Sequence, residues 1–333
     1  MIFEVKDYQS RLSLKETQKA IKFIKDGFQK KLAEALNLSR VSAPLFVLKD
    51  TGLNDDLNGT ERKVEFDAKD IEGEIQIVQS LAKWKRNALY EYGFGNGEGI
   101  YTDMNAVRRD EDLDNLHSVY VDQWDWERVI LKEDRTPDFL FSIVKKIYAC
   151  VLSEEREVNR KYPCFGEKLP EEISFISTGE LEKNYPDLSR KERENRIARE
   201  KKAVFLFRIG WPLQDGLPHD GRAADYDDWN LNGDILLYNP LLDRAFEISS
   251  MGIRVDADAL LKQTAYKHEE QKLSSPFSQN ILRGVLPYSI GGGIGQSRLC
   301  MYYLEKAHIG EVQPSVWPEE DRKKAKEMNI SLL

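Results

Sequence analysis

The chain has 333 residues, 41% of them hydrophobic, which is enough to bury one large core or two ordinary ones. Its net charge is −8, with acids and bases spread along the sequence, and this counts against a nucleic-acid partner, which leaves a basic patch. The charged start around Glu4, Lys6 and Asp7 lacks a signal-peptide core, and the most apolar run, residues 203–209, is too short to cross a bilayer, so a cytoplasmic protein without a membrane partner is expected.

Apolar side chains at Leu14, Ile21, Ile24, Phe28, Leu32 and Leu36 recur with a period near 3.6 and predict an amphipathic helix over residues 13–36. The lysines in this part of the chain (Lys15, Lys19, Lys22, Lys25, Lys30 and Lys31) interleave with acids at helical spacing, as on a solvated helix face. Pro44 follows in an extended segment, residues 41–47, where a strand carrying proline reads as an edge. Residues 50–60 are rich in turn formers, and residues 61–79 alternate like a hairpin. Residues 119–126 alternate apolar and polar with period two, a strand with Gln123 and Asp125 on one face. A long helix is expected at 138–161. Then come a strand at 173–177, a helix at 178–184, a highly charged helix at 189–202 and a strand at 203–209. Strands at 234–238 and 245–249, helices at 257–266 and 277–283, and a Gly-rich turn leading into a helix complete the pattern. Cys150, Cys164 and Cys300 are far apart and form neither a CxxC pair nor a disulfide framework.

Two stretches carry chemistry. Near the C-terminus, Gly291-Gly292-Gly293-Ile294-Gly295-Gln296-Ser297-Arg298 crowds glycines before a helical start, which lets backbone approach a flat or anionic ligand closely. It is not a Walker A loop, because no Gly-Lys-Ser/Thr follows, and Gln296 stands where a dinucleotide fingerprint needs its third glycine. Read alone, the run is equally a tight turn. Upstream, Arg108-Arg109-Asp110-Glu111-Asp112 enters a charged loop that returns through the strand at 119–126.

An arginine entering a charged loop, a return strand with polar residues on one face and a late Gly-rich segment with arginine resemble motifs two and three of class II aminoacyl-tRNA synthetases. Residues 80–86, 117–127, 246–256 and the Gly291 block narrow the resemblance to ammonia-dependent aspartate–ammonia ligases, asparagine synthetases built on a class II core. The resemblance spans nearly the whole chain. It implies an α+β fold, a class II synthetase-like core whose mixed, mainly antiparallel sheet is flanked by helices. An α/β insertion at about residues 165–205 would lie between motifs two and three of a single catalytic domain, 1–333, with no anticodon-binding domain. It also implies a homodimer through motif one, the long helix plus the Pro44 segment, whose apolar stripe would need covering.

The implied reaction is ATP-dependent synthesis of asparagine from aspartate and ammonia through a β-aspartyl-adenylate, with AMP and pyrophosphate released. Glutamine-using synthetases of the other type begin with a nucleophilic cysteine after methionine removal. Here the second residue is Ile2, so free ammonia is the expected nitrogen source. By the same resemblance Arg108 meets the α-phosphate, Glu111, Asp227, Gly293 and Arg298 belong to the ATP site, and Asp234 and Glu247 hold magnesium, a cation that prefers hard oxygen ligands. Ser80, Lys85, Gln123, Asp125, Ser250 and Arg254 surround aspartate, with Lys85 and Arg254 answering carboxylates, Asp125 the ammonium and Gln123 the reacting acyl oxygen. Asp55 matches the acid that handles ammonia, although Asp56 beside it leaves the assignment open by one position.

Plainer readings stand next to these. Arg108 also reads as a surface arginine, Lys85 as a surface ion pair crowded by Lys83 and Arg86, and the Asp55 segment as a turn and nothing more. Lys83 and Lys85 cannot both face one site on a helix. At the level of the whole chain, the alternatives are a transferase related to the tRNA synthetases or a non-catalytic regulator. A regulator would have lost an ATP arginine or a metal acid, and Arg108, Arg298, Asp234 and Glu247 are all present.

Overall fold

The structure is a computed structural model and describes residues 2–55, 57 and 61–333. Asp56, the rival to Asp55, lies outside the described residues. Helix α1 (Leu14–Leu36) starts at a capping box in which Ser13 and Glu16 satisfy each other's exposed backbone donors, and Asn37 ends it in the left-handed conformation. Strands β1 (Leu38–Arg40), β2 (Phe46–Leu48), β3 (Glu65–Ala68) and β4 (Ile71–Ile77) follow, then α2 (Ala82–Glu91). The hairpin β5 (Gly99–Val107) and β6 (Tyr120–Val129) leads to the 25-residue α3 (Pro137–Lys161). Next come β7 (Ser174–Ser177), α4 (Thr178–Asn184), α5 (Arg190–Lys201), β8 (Ala203–Phe207), β9 (Asp227–Asn239) and β10 (Arg244–Arg254). The chain ends with α6 (Ala257–Lys267), α7 (Pro276–Leu282), β11 (Ser289–Gly295), α8 (Gln296–Tyr303) and α9 (Glu319–Glu327).

Among the described residues an eight-stranded sheet runs in the order β1-β5-β6-β11-β10-β9-β8-β7, and a three-stranded sheet in the order β2-β4-β3. The large sheet is antiparallel from β5 to β8 and parallel only where β1 joins β5 and β7 joins β8. Its two faces differ because strand residues alternate sides. Trp124 and Trp126 of β6 point into the main core, where Phe28 of α1 lies 4.7 Å from Trp124, ring to ring, amid side chains of α3 and α8. Gln123, Asp125 and Glu127 point to the opposite face, which α2 partly covers.

Three expectations change. Residues 41–47 are not one strand: β1 and β2 belong to different sheets, and Pro44, which has no N–H to donate, sits in the unpaired stretch between them. The apolar stripe of α1 faces this chain's own core, with Ile24, Phe28 and Leu32 fully buried. What stays exposed nearby is Leu45 and Phe46, each 48% accessible. The Gly-rich run is not a turn. Gly291–Gly295 lies within β11, a central strand held between β6 and β10, and none of these glycines has a positive φ. Residues 165–205 carry β7, α4 and α5 and extend one edge of the large sheet through β7 and β8, with no sheet of their own.

Candidate active site

The glycines of β11 have a steric reason that only the neighbouring strand supplies. A Cβ on Gly291 would fall 1.9 Å from Glu127 Oε2 and 2.6 Å from Arg254 Nη2. One on Gly293 would fall 2.3 Å from Gln123 Oε1 and 2.6 Å from Asp125 Oδ1. The bare strand therefore makes room for the polar side chains of β6 to lie across the sheet. Register then assembles a row: Asp125 opposite Gly293, Gly293 opposite Ser250, and Ser250 opposite Asp234. Side chains of β6, β10 and β9 meet along one line across β11.

Glu247 joins that face through a bulge. It pairs with Leu236 while Ser250 pairs with Asp234, so one extra residue between Glu247 and Ser249 puts Glu247 and Ser250 on the same side despite their odd separation.

Above the row opens a polar cavity of about 410 Å³, with Asp55, Ser80, Lys85, Gln123, Asp125, Arg108, Glu111 and Glu247 on its walls. A narrower hollow of about 120 Å³ continues it, sharing Arg108, Glu111, Gln123, Glu247 and Ser250 and reaching Arg298.

Lys85 is buried at the cavity floor, its Nζ donating to Gly292 O at 2.9 Å and lying 3.3 Å from Asp125 Oδ2. Burial pushes its ammonium below the usual lysine range, against the pull of Asp125. Lys83, two residues earlier, points elsewhere and pairs with buried Asp225 at 2.6 Å, as helical geometry requires.

Arg254 lines the same cavity. Glu127 receives its Nε at 2.9 Å and its Nη2 at 2.7 Å, and Asp227 receives its Nη1 at 2.5 Å. A guanidinium carries five N–H donors, so one remains on each terminal nitrogen for a ligand. Asp227 was expected among the nucleotide contacts. Its carboxylate lines the cavity and accepts from Arg254.

Glu127 was missed, although the period-two pattern that exposed Gln123 and Asp125 runs on to it. It is fully buried, also accepts from Ser289 Oγ at 2.7 Å, and is held below its ordinary carboxylate range: burial pushes it up, but Arg254 and Lys85 win. Arg222 was also missed. It lines the cavity and bonds both Asp220 and Asp234; a lone arginine inside an acid-rich loop was the available signal.

Arg108 follows directly on β5, and its backbone N–H bonds Val119 O at 2.9 Å across the loop. Its Nε is buried without a hydrogen-bond partner, and its nearest acid, Glu111, stands 3.7 Å away. This arginine lines the cavity with its Nε uncommitted. Arg298, in the first turn of α8, donates to Glu247 O at 2.8 Å beside the narrow hollow.

The two acids expected to hold metal fit a divalent cation in one respect. Asp234 Oδ1 is buried without a hydrogen-bond partner. Burial, with Glu247 and Asp220 adding to it against Arg222, pushes the Asp234 carboxyl up to about 7, so negative charge is crowded where a cation would relieve it. No group of three or more histidine, cysteine or acidic residues suited to a metal occurs among the described residues, so remaining ligands would come from phosphate or water.

Asp55 sits in the turn between β2 and β3. It is 1% exposed, with Oδ1 accepting from Leu57 N at 2.9 Å. Tyr226 lines the same cavity, and its hydroxyl is pushed far up by burial and by the nearby charge of Asp55. Ser80, also on the cavity wall, accepts from Ala82 N at 3.1 Å at the start of α2.

The sequence model of the family described as aspartate-ammonia ligase matches residues 15–329, nearly the whole chain. The chain belongs to the aspartate–ammonia ligase family. An aspartate–ammonia ligase of Clostridium tetani is 59% identical over 329 residues, covering 98% of this chain and 96% of that one. Another, from Clostridium perfringens, is 58% identical over 333 residues, covering 100% and 99%. Among solved structures the chain is similar to asparaginyl-tRNA synthetase from Pyrococcus horikoshii complexed with asparaginyl-adenylate, with a TM-score of 0.65, 15% identity, and 91% and 70% of the two chains covered. The Entamoeba histolytica asparaginyl-tRNA synthetase gives 0.62 and 12%, over 90% and 66%. These two likenesses establish the family's fold here as that of the class II synthetases, an α+β core around a mainly antiparallel sheet.

Proposed function

We propose that this chain makes L-asparagine from L-aspartate, ATP and ammonia through a β-aspartyl-adenylate, releasing AMP and pyrophosphate. The observation that carries this reading is one cavity holding three separate devices: Arg108 for phosphate, the buried cations Lys85 and Arg254 for carboxylate, and Asp55 on a turn of its own.

Lys85 and Arg254 take the aspartate carboxylates, and Asp125 takes the ammonium. Gln123, a neutral donor on the same strand face, holds the reacting acyl oxygen. The β-carboxylate attacks the α-phosphorus of ATP, and the bond to the β-phosphate breaks. Arg108 stabilises the charge that develops there with the planar fork that lysine lacks. Arg298 and Glu111 flank the narrow hollow, which suits the adenine and ribose. Asp234 and Glu247 would hold a magnesium ion, which supplies charge neutralisation to the phosphates. Ammonia then attacks the acyl carbon, AMP leaves, and Asp55 accepts the proton released from nitrogen.

Pyrophosphate release and asparagine formation, measured with aspartate and ATP in the presence and absence of ammonium, test this directly. Sustained turnover only with ammonium supports the reading; no asparagine under any condition overturns it.

Arg108→Lys should keep the fold and lose roughly 3–4 kcal/mol of transition-state stabilisation, about a hundred- to a thousand-fold in adenylation rate. Near-normal pyrophosphate release by this variant would remove Arg108 from that role.

The same reading takes the enzyme to be cytoplasmic and a homodimer. No helix among the described residues is long and apolar enough to cross a membrane. Leu45 and Phe46, exposed next to Pro44, are the apolar surface that a second copy would cover. Light scattering should report twice the 38.5 kDa chain mass at micromolar concentration.

A further inference from the structure

We infer that Asn54 is the positioning residue that fixes Asp55 for the ammonia step, an assignment that rests on the proposed role of Asp55. Asn54 is 5% exposed, and all of its amide hydrogen-bonding capacity faces protein. Its Oδ1 accepts from Asp55 N at 2.9 Å and from Gln79 N at 3.0 Å. Its Nδ2 donates to Ile77 O at 3.1 Å and to Gln76 Oε1 at 3.3 Å.

One side chain thus ties the turn carrying Asp55 to residues 76–79, the end of β4, immediately before Ser80 on the wall of the same cavity. Only an amide serves. Aspartate would present an acceptor to Ile77 O and Gln76 Oε1, and alanine would leave Gln79 N and Asp55 N without their shared partner. Leu53 supplies the apolar half of the anchor, packing against the cluster of Val255, Leu260 and Phe277. Further along, Arg62 donates its backbone N–H to Asp110 Oδ2 at 2.7 Å, linking this segment to the loop after Arg108. Asn54 bonds the backbone N–H of the reacting acid itself.

A displacement on the order of 1 Å at a reacting group lowers rate roughly a hundredfold. Asn54→Ala should accordingly slow asparagine formation about a hundredfold, while aspartate-dependent exchange of pyrophosphate into ATP stays within about threefold of the parent enzyme. The test uses the full-length enzyme as N54A, D55A and the double variant, each assayed for both activities and for thermal unfolding. If Asn54 acts through Asp55, the double variant forms asparagine no more slowly than D55A alone, because the second change removes nothing further.

Multiplied losses in the double variant, or exchange lost along with asparagine in N54A, would overturn the inference while leaving the role of Asp55 standing. Normal asparagine formation by D55A would instead remove the role of Asp55 and the inference with it. Should N54A not fold, Asn54→Ser, which keeps an acceptor and loses the two amide donations, is judged by the same criteria.

Discussion

Asp55→Ala should slow the amination step by about a hundred- to ten-thousand-fold, the range for removal of a positioned general base. The variant should still form the adenylate, because phosphate and carboxylate are assigned to Arg108, Lys85 and Arg254 and not to Asp55. Aspartate-dependent exchange of pyrophosphate into ATP would then persist while asparagine output falls. Loss of both activities together would place Asp55 in aspartate binding or loop closure. Unchanged activity would pass the role to Asp56 or leave the turn with no chemistry.

Glu127→Ala should be the most destabilising single change at the site. The carboxylate is fully buried, meets Arg254 through two guanidinium nitrogens and accepts from Ser289. Removing one member of a buried ion pair costs about 3–5 kcal/mol, because the remaining charge has lost its compensation. Asp227 still holds the far side of Arg254, so the guanidinium should stay in place but turn more freely, weakening aspartate binding as well. Urea denaturation gives the stability loss, and aspartate titration the binding loss. A midpoint within error of the parent would sink the prediction.

The Glu127 carboxyl is held below its ordinary value in the fold, so its contribution is complete above pH of about 4.3 and fades as pH falls through the lower folded-state value. The parent enzyme should therefore lose more stability than Glu127→Ala over that acid range.

Much of the fold was legible along the chain. The period of α1, the charged pattern of α5 and the alternation of β6 are local signals, set by residues within a few turns or pleats of one another. The run from β7 through α5 came out within a residue or two for the same reason. Of the residues that the family resemblance singled out, the described cavity brings Asp55, Lys85, Arg108, Gln123, Asp125 and Glu247 to one place.

The Gly291 block shows where local reading stopped. Glycines clustered before a helix read as a turn that approaches a ligand. The structure makes them a central strand, bare because Gln123, Asp125 and Glu127 of β6 need the space a Cβ would take. No property of the run itself carries that information, since the occupant of the space lies more than 160 residues away in the chain. Arg254 is similar. The resemblance implies a carboxylate ligand for it, but only cross-strand register gives it Glu127 and Asp227 as partners, leaving one N–H on each terminal nitrogen uncommitted. Sequence by itself therefore determined which elements form and which residue types carry the chemistry, because periodicity and motif are short-range. Tertiary structure decided which polar side chains are already spent on each other, because that depends on strand order, register and one bulge.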